Sequence, residues 1–301
     1  MSIDGILNVN KPVGKTSFEI VAFVRRLSGE RKVGHGGTLD PKATGVLPIG
    51  LGRGTRVAEF LTAESKVYQA QVELGAATDT YDASGIITSR GDVSTVTKEQ
   101  VETVLASFRG LIEQTPPLYS ALKHQGQPLY RLARAGIKVP RLPRKVNIFR
   151  LELLDFELPL LTLEVTCSKG TYIRSLAHDL GQALGCGAHL KSLVRLKSGP
   201  FHLSEAVSLA QLEDSFRHRY WQLLLYPLDV VLLRLMAIIV AEEKERRIVN
   251  GQPLLLPGGN AGPSQGRAGE LCRAYSRDGR LIALLRFDGS VWHAEKVLAT
   301  T

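Results

Sequence analysis

The chain has 301 residues, 44% of them hydrophobic, and a formal net charge of +9 at neutral pH. That length suits one large domain plus a small one, and the apolar content excludes disorder for the bulk of the chain. Three cysteines (Cys167, Cys186 and Cys272) are odd in number and far apart, which excludes a CxxC zinc or redox pair and predicts reduced thiols in a cytosolic protein.

The opening MSIDGILNVNKP lacks a basic region and a long apolar stretch, so it does not read as a secretory signal. Ile6 to Val9 reads as a short strand and Phe18 to Leu27 as a helix capped by Ser17. Between them, Gly14-Lys15-Thr16 imitates the end of a phosphate-binding loop. That motif needs glycine five residues before Gly14, where Val9 stands, and Pro12 removes a backbone donor, so nucleotide binding through it is excluded. GLGRG at Gly50 to Gly54 likewise fails as a dinucleotide fingerprint, because no strand–turn–helix unit with a distant acid follows.

Gly34 to Gly50, GHGGTLDPKATGVLPIG, holds a single acid, Asp40, in a stretch dense with glycine. The glycines allow tight turns and close approach to a ligand, and Pro41 restricts the backbone just after the acid. No second carboxylate lies between Glu30 and Glu59, so neither a glycosidase-type pair nor an oxygen-rich metal cage is built here. One positioned nucleophile or base fits the pattern; a plain turn-capping aspartate fits the same local chemistry.

Lys66 to Leu74 alternates apolar and polar residues as a half-buried strand does, with Val67 and Tyr68 on opposite faces. A helix over Thr97 to Phe108 opens with a Thr-Lys-Glu-Gln capping box. From Arg109 to Arg150 there are nine Lys or Arg residues against one acid, Glu113, which concentrates nearly all the net charge in one segment. Such clustering is a footprint of polyanion binding, and Tyr119, Tyr130 and Phe149 within it are suited to stacking on bases. Five prolines mark the segment as a long irregular insertion, as functional flaps often are.

Strands are predicted at Val146–Phe156 and Leu161–Cys167. A helix follows over Thr171–Leu184 with an apolar stripe of Ile173, Leu176, Leu180 and Leu184. Arg174 lies off that stripe in the first turn, where the helix dipole disfavours a cation unless an anion is near. Leu223 to Ala241 is very apolar, but Pro227, Asp229 and Arg234 leave no clean span of about twenty apolar residues for a membrane. Beyond it, a helix over Glu242–Val249 ends at Gly251. Asp278-Gly279 and Asp288-Gly289 separate three strands of a meander, at Glu270–Ser276, Arg280–Phe287 and Val291–Val297. Gly258 to Gly269 reads as a flexible loop.

Three separated pieces, Asn8–Ser17 (NVNKPVGKTS), Gly34–Pro48 (GHGGTLDPKATGVLP) and Ser168–Arg174 (SKGTYIR), together resemble the bacterial TruB family of tRNA pseudouridine synthases. Lys66–Gly85 and Gly185–Leu190 extend the resemblance, and GQPL at Gly251–Leu254 resembles the small PUA domain appended in that family. The resemblance implies an α+β fold: a large mixed or antiparallel-sheet catalytic domain over residues 1–228, with the basic segment of about 109–150 as a thumb. A small β-rich PUA-like RNA-binding domain would occupy 229–301.

It also implies a reaction, the isomerisation of uridine to pseudouridine at position 55 in the T-loop of tRNA. Asp40 would be the nucleophile, attacking either the ribose C1′ or the uracil C6, with Arg174 as the cation that favours its ionised form. Tyr68 would stack on the target base, Tyr172 and Leu193 would line the pocket, and Lys11 with Pro12 would support it. A base inside a folded loop must be flipped out, and His35 would fill the space it leaves. Arg141, Arg144 and Lys145 of the thumb would hold RNA. The expected partner is the T-arm of tRNA, with no metal, no organic cofactor and no membrane, for a cytoplasmic monomer. Two other readings share much of this pattern: a guide-RNA-dependent synthase, and a module that binds or folds RNA, the latter also possible as an accessory chaperone role. The long basic insertion and short N-terminus favour the stand-alone enzyme, and intact Asp40, Tyr68 and Arg174 favour chemistry.

Overall fold

A computed structural model describes residues 3–120, 122–137, 139–255 and 267–299. In chain order, β1 (Gly5–Lys11), α1 (Ser17–Ser28), β2 (Val33–His35), β3 (Thr44–Leu51), α2 (Ala58–Ala63) and β4 (Lys66–Leu74) come first. A small pair, β5 (Ala76–Thr78) and β6 (Ile87–Arg90), precedes α3 (Lys98–Ser107) and β7 (Gly110–Gln114). Next stand β8 (Lys123–His124), β9 (Gln127–Pro128) and α4 (Leu129–Arg134), then β10 (Arg144–Glu157), β11 (Leu160–Cys167), α5 (Ile173–Ala183) and β12 (Ala188–Ser198). The chain continues through β13 (Phe201–His202), α6 (Leu209–Arg217) and β14 (Leu225–Tyr226). It ends with β15 (Met236–Ile239), α7 (Glu242–Val249), β16 (Leu271–Tyr275), β17 (Leu281–Phe287) and β18 (Trp292–Val297).

Among the described residues, ten strands form one sheet whose main path runs β14-β1-β3-β12-β4-β11-β10-β7. β12 lies parallel to β3 and antiparallel to β4, so the sheet is mixed and the fold is α+β. The strands are held by the alternation read from the sequence: Lys66, Tyr68, Ala70, Val72 and Leu74 all turn to the buried side of β4. α1, α3 and α5 cover that face, and Ile20, Val24, Val101, Leu105, Leu176 and Leu180 are almost fully buried against it. Burying each such side chain contributes about 1.5–3 kcal/mol.

Three expectations change. Thr16, not Ser17, caps α1: its hydroxyl accepts the Glu19 N–H, and the Glu19 carboxylate accepts the Thr16 N–H. Ser17 is buried instead, and its hydroxyl donates to the Leu39 carbonyl and accepts the Leu39 N–H at 2.9 Å, which ties the helix to the residue before Asp40. The basic segment is not wholly irregular, because β7 and the start of β10 pair along the sheet edge, Arg144 opposite Gln114. Only the stretch between them, with the β8–β9 hairpin and α4, leaves the sheet. The C-terminal meander gains a fourth strand, since β15 pairs in parallel with β16. The predicted loop at Gly258–Gly269 lies mostly outside the described residues.

Leu223–Ala241 forms short 3-10 turns and strands, and no described helix is long and apolar enough to cross a membrane. Val231, Leu232, Leu284 and Leu298 from the C-terminal part share a buried cluster with Ile6, Val46, Leu61 and Phe201.

Candidate active site

Asp40 stands in the loop between β2 and β3. Gly37 and Gly45 bracket it with φ of 129° and 100°, a region that favours glycine. A Cβ on Gly45 would come within 2.3 Å of the Arg195 carbonyl oxygen, so the loop's return into β3 admits no side chain there. Lys11 fastens the other side. It is fully buried and its Nζ donates to the carbonyls of Pro12 at 2.9 Å, Lys15 at 2.6 Å and Pro41 at 3.4 Å. Burial lowers the Lys11 ammonium to about 8, while the Asp40 charge works to hold it up.

The Asp40 carboxylate opens into a cavity of about 360 Å³ walled by Tyr68, Tyr172, Arg174, Leu193 and Arg195. Arg174 Nε lies 2.9 Å from Asp40 Oδ2, with the arginine side chain 6% exposed and the aspartate 44%. The same guanidinium reaches Asp82 Oδ2 at 3.7 Å and donates to the carbonyls of Thr80 at 3.3 Å and Tyr119 at 3.0 Å. The cation in the first turn of α5 therefore has its anion, as the helix-dipole argument required. Burial raises the Asp40 carboxyl above the ordinary aspartate value, Arg174 pulls it down, and Asp82 pushes it up again. Arg174 thus favours the ionised form, as expected of the cation beside it, while desolvation works more strongly the other way.

Tyr68 projects from β4, 9% exposed. Burial raises its phenol and the Arg195 cation opposes that, and the residue lines the cavity. Tyr172 precedes α5. Its backbone N–H donates to Gln114 Oε1 at 2.7 Å and its carbonyl accepts from Gln114 Nε2 at 3.0 Å, which fixes the helix start to β7. Burial also raises the Tyr172 phenol. Leu193 is an apolar wall, 8% exposed. One carboxylate, two aromatic rings and an apolar side chain around a nucleoside-sized space suit covalent attack on a planar base or its sugar.

Residues 25–173 match the family model described as TruB family pseudouridylate synthase, N-terminal domain, and residues 174–233 match the tRNA pseudouridylate synthase B C-terminal domain. The chain is 45% identical, over 98% of its length and 96% of the relative's, to a tRNA pseudouridine synthase B of Dehalococcoides mccartyi. It is 40% identical to the protein of that name from Geobacter sulfurreducens, over 97% of this chain and 96% of that one. The chain belongs to the TruB family. Among solved structures it is similar to a chain in a Cbf5–Nop10–Gar1 complex, with a TM-score of 0.76 and 29% identity, covering 98% of this chain and 85% of that one. A further likeness, with a TM-score of 0.74 and 26% identity over the same shares, is to an H/ACA ribonucleoprotein bound to a substrate RNA containing 2′-deoxyuridine.

In this TruB family member, Asp40, Tyr68, Tyr172, Arg174 and Leu193 meet in one cavity, and Lys11 buttresses it from behind. His35 is not among the residues that line it. His35 sits on β2 opposite Ile49, and its Nδ1 accepts the Gly37 N–H at 3.3 Å. Of the thumb cations, Arg144 and Lys145 are exposed on β10. Arg141 is half-buried and donates to the Tyr81 hydroxyl at 3.4 Å and the Pro116 carbonyl at 3.2 Å. Sequence reasoning passed over Asp82, Lys66 and Arg195. Lys66 lines the cavity with its ammonium given to the carbonyls of Leu61, Thr62 and Glu64 at the end of α2. Burial lowers that ammonium to about 8. Asp82 carried a signal, being an acid in the TYDASG stretch that follows Tyr68. Lys66 and Arg195 carried none, since a basic residue at a strand end or among other polar residues of a strand reads as solvated.

Proposed function

We propose that the protein converts uridine to pseudouridine in transfer RNA, acting on the flipped-out uridine at position 55 of the T-loop with Asp40 as nucleophile. The observation that carries this is the Asp40–Arg174 ion pair at the floor of a cavity large enough for a nucleoside. An aspartate held at 2.9 Å from a buried guanidinium is available as the carboxylate. On this reading Tyr68, which lines the same cavity, stacks on the base and sits near the proton that leaves C5. His35, outside the cavity wall, fills on the same reading the space that the flipped base leaves in the RNA.

Residues 1–228 act as the catalytic domain on this reading, and the exposed Arg144 and Lys145 with their neighbours as the RNA-facing thumb. Residues 229–301 act as the appended RNA-binding domain, and the protein works as a cytoplasmic monomer without metal or cofactor. Greater identity to a protein named tRNA pseudouridine synthase B than to the chain of the Cbf5–Nop10–Gar1 complex, 45% against 29%, favours direct tRNA recognition over a guide. The test is an unmodified tRNA transcript incubated with the protein and mapped for pseudouridine by chemical labelling and primer extension. One stop is expected, at the T-loop uridine, and it disappears when that uridine is replaced by cytidine. Product elsewhere only, or none, would contradict the reading.

A further inference from the structure

We propose that Arg195 is a positioning residue that holds the Asp40 loop and Tyr68 in a single register. This rests on the reaction proposed above. Arg195 lies on β12, the strand between β3 and β4 in the sheet. Its backbone is the register partner of Gly45 on one side and of Tyr68 on the other. One residue thus sits between the strand that receives the aspartate loop and the strand that carries the stacking ring.

The side chain repeats the arrangement. It is 1% exposed; Nε donates to the Val46 carbonyl at 2.6 Å and Nη2 to the Gly37 carbonyl at 3.1 Å. Those two carbonyls bracket Asp40 in the sequence, one before it and one after it, so a single planar fork closes the loop at both ends. A Cβ on Gly45 would come within 2.3 Å of the Arg195 carbonyl oxygen, so the loop's return and β12 approach each other too closely here for a side chain. Arg195 also lines the cavity beside Tyr68.

Among the described residues no carboxylate forms an ion pair with Arg195, whereas Arg174 faces both Asp40 and Asp82. A buried cation without a counter-charge is costly. Merely closing a loop does not demand one, because neutral donors satisfy carbonyls equally well. Two consequences explain its presence: a rigid fork spans two carbonyls that no single ammonium can span, and a fixed positive charge beside Tyr68 favours negative charge developing in the cavity.

The experiment compares Arg195→Met, similar in length but without charge or fork, with Arg195→Lys, which keeps charge alone. For Arg195→Met, single-turnover pseudouridine formation is expected to fall about 100-fold, because misplacing reacting groups by an ångström costs about that much. The Kd for tRNA is expected to stay within about threefold of wild type, so the loss is in the chemical step. Arg195→Lys is expected to recover part of the rate. A rate for Arg195→Met within about threefold of wild type would overturn the inference. So would equal rates for the two variants accompanied by equal falls in Tm, which is the mark of a purely structural residue. If the Met variant does not fold, the Lys variant decides. A slowed reaction at wild-type Tm supports the assignment, and an unchanged rate refutes it.

Amide hydrogen exchange over residues 37–46 reads the same contact without substrate. Faster exchange confined to that segment and to β4 is expected, and unchanged exchange would overturn the inference even if the wild-type protein proved to make no pseudouridine.

Discussion

Burial and charge work against each other at Asp40. Desolvation lifts its carboxyl above the ordinary aspartate value of 3.8, Arg174 opposes that, and Asp82 adds to it. On the proposed reaction Asp40 attacks in its ionised form, so the rate should fall as pH drops through the raised value. The acid limb of kcat/KM should therefore lie above the range of a free aspartate. Replacing Asp82 with Asn removes the charge that pushes the carboxyl up, and should move that limb toward lower pH. A limb that stays in place would remove Asp82 from the electrostatics of the site. Asp40 was singled out by local cues: glycines that permit positive φ, a proline after the acid, and no rival carboxylate nearby in sequence. Those cues fit a turn cap as well, and the role proposed for Asp40 came from the TruB resemblance. Arg195 was not singled out, because its meaning depends on β12 lying between β3 and β4, a pairing across more than a hundred residues.

At the scale of single elements, α5 carries both an anchor and a liability. Arg174 at its start is matched by two acids. Asp179 further along has no cationic partner among the described residues, and burial alone pushes its carboxyl up to about 6. The folded state then holds a proton between the ordinary value of 3.8 and about 6 that the unfolded chain has released. Stability consequently falls as pH rises through that window. Asp179→Asn should raise Tm at alkaline pH, with the gain shrinking toward the ordinary aspartate range; an equal Tm throughout would show the carboxyl to be solvated.

On β10, Arg144 and Lys145 are exposed and Arg141 is partly spent on Tyr81 and Pro116. Neutralising Arg144 and Lys145 together should reduce the salt slope of tRNA binding by roughly 1–2, as one or two phosphate contacts would. An unchanged slope would take the thumb out of the RNA interface. The capping boxes show what short-range pattern can and cannot settle. Thr97 with Gln100 reads directly from the sequence, as the structure confirms. At α1 the same motif begins at Thr16 and not at Ser17, which is drawn inward by its bonds to Leu39.

Over the whole molecule, the Asp-Gly turns of the C-terminal part were sufficient to predict a β-rich end, whereas the mixed α+β class of the large sheet followed from the resemblance to the TruB family. What they could not supply were the parallel contacts. β15 joins β16 across a connection of more than thirty residues, and β12 joins β3 across more than a hundred. Neither pairing leaves a turn signal, because parallel strands need a crossover and no hairpin. The large sheet matters because it brings a loop after β2, a tyrosine on β4, a helix after β11 and a leucine on β12 to one cavity. That convergence presents one carboxylate, the group proposed to act in the chemical step. The most direct measurement compares wild-type protein with Asp40→Asn on the same unmodified tRNA transcript, scoring binding and pseudouridine together. The account predicts that the variant binds within about threefold of wild type and forms no product, since only a group acting in the chemical step has been removed. Pseudouridine formed by Asp40→Asn at a measurable rate would contradict it.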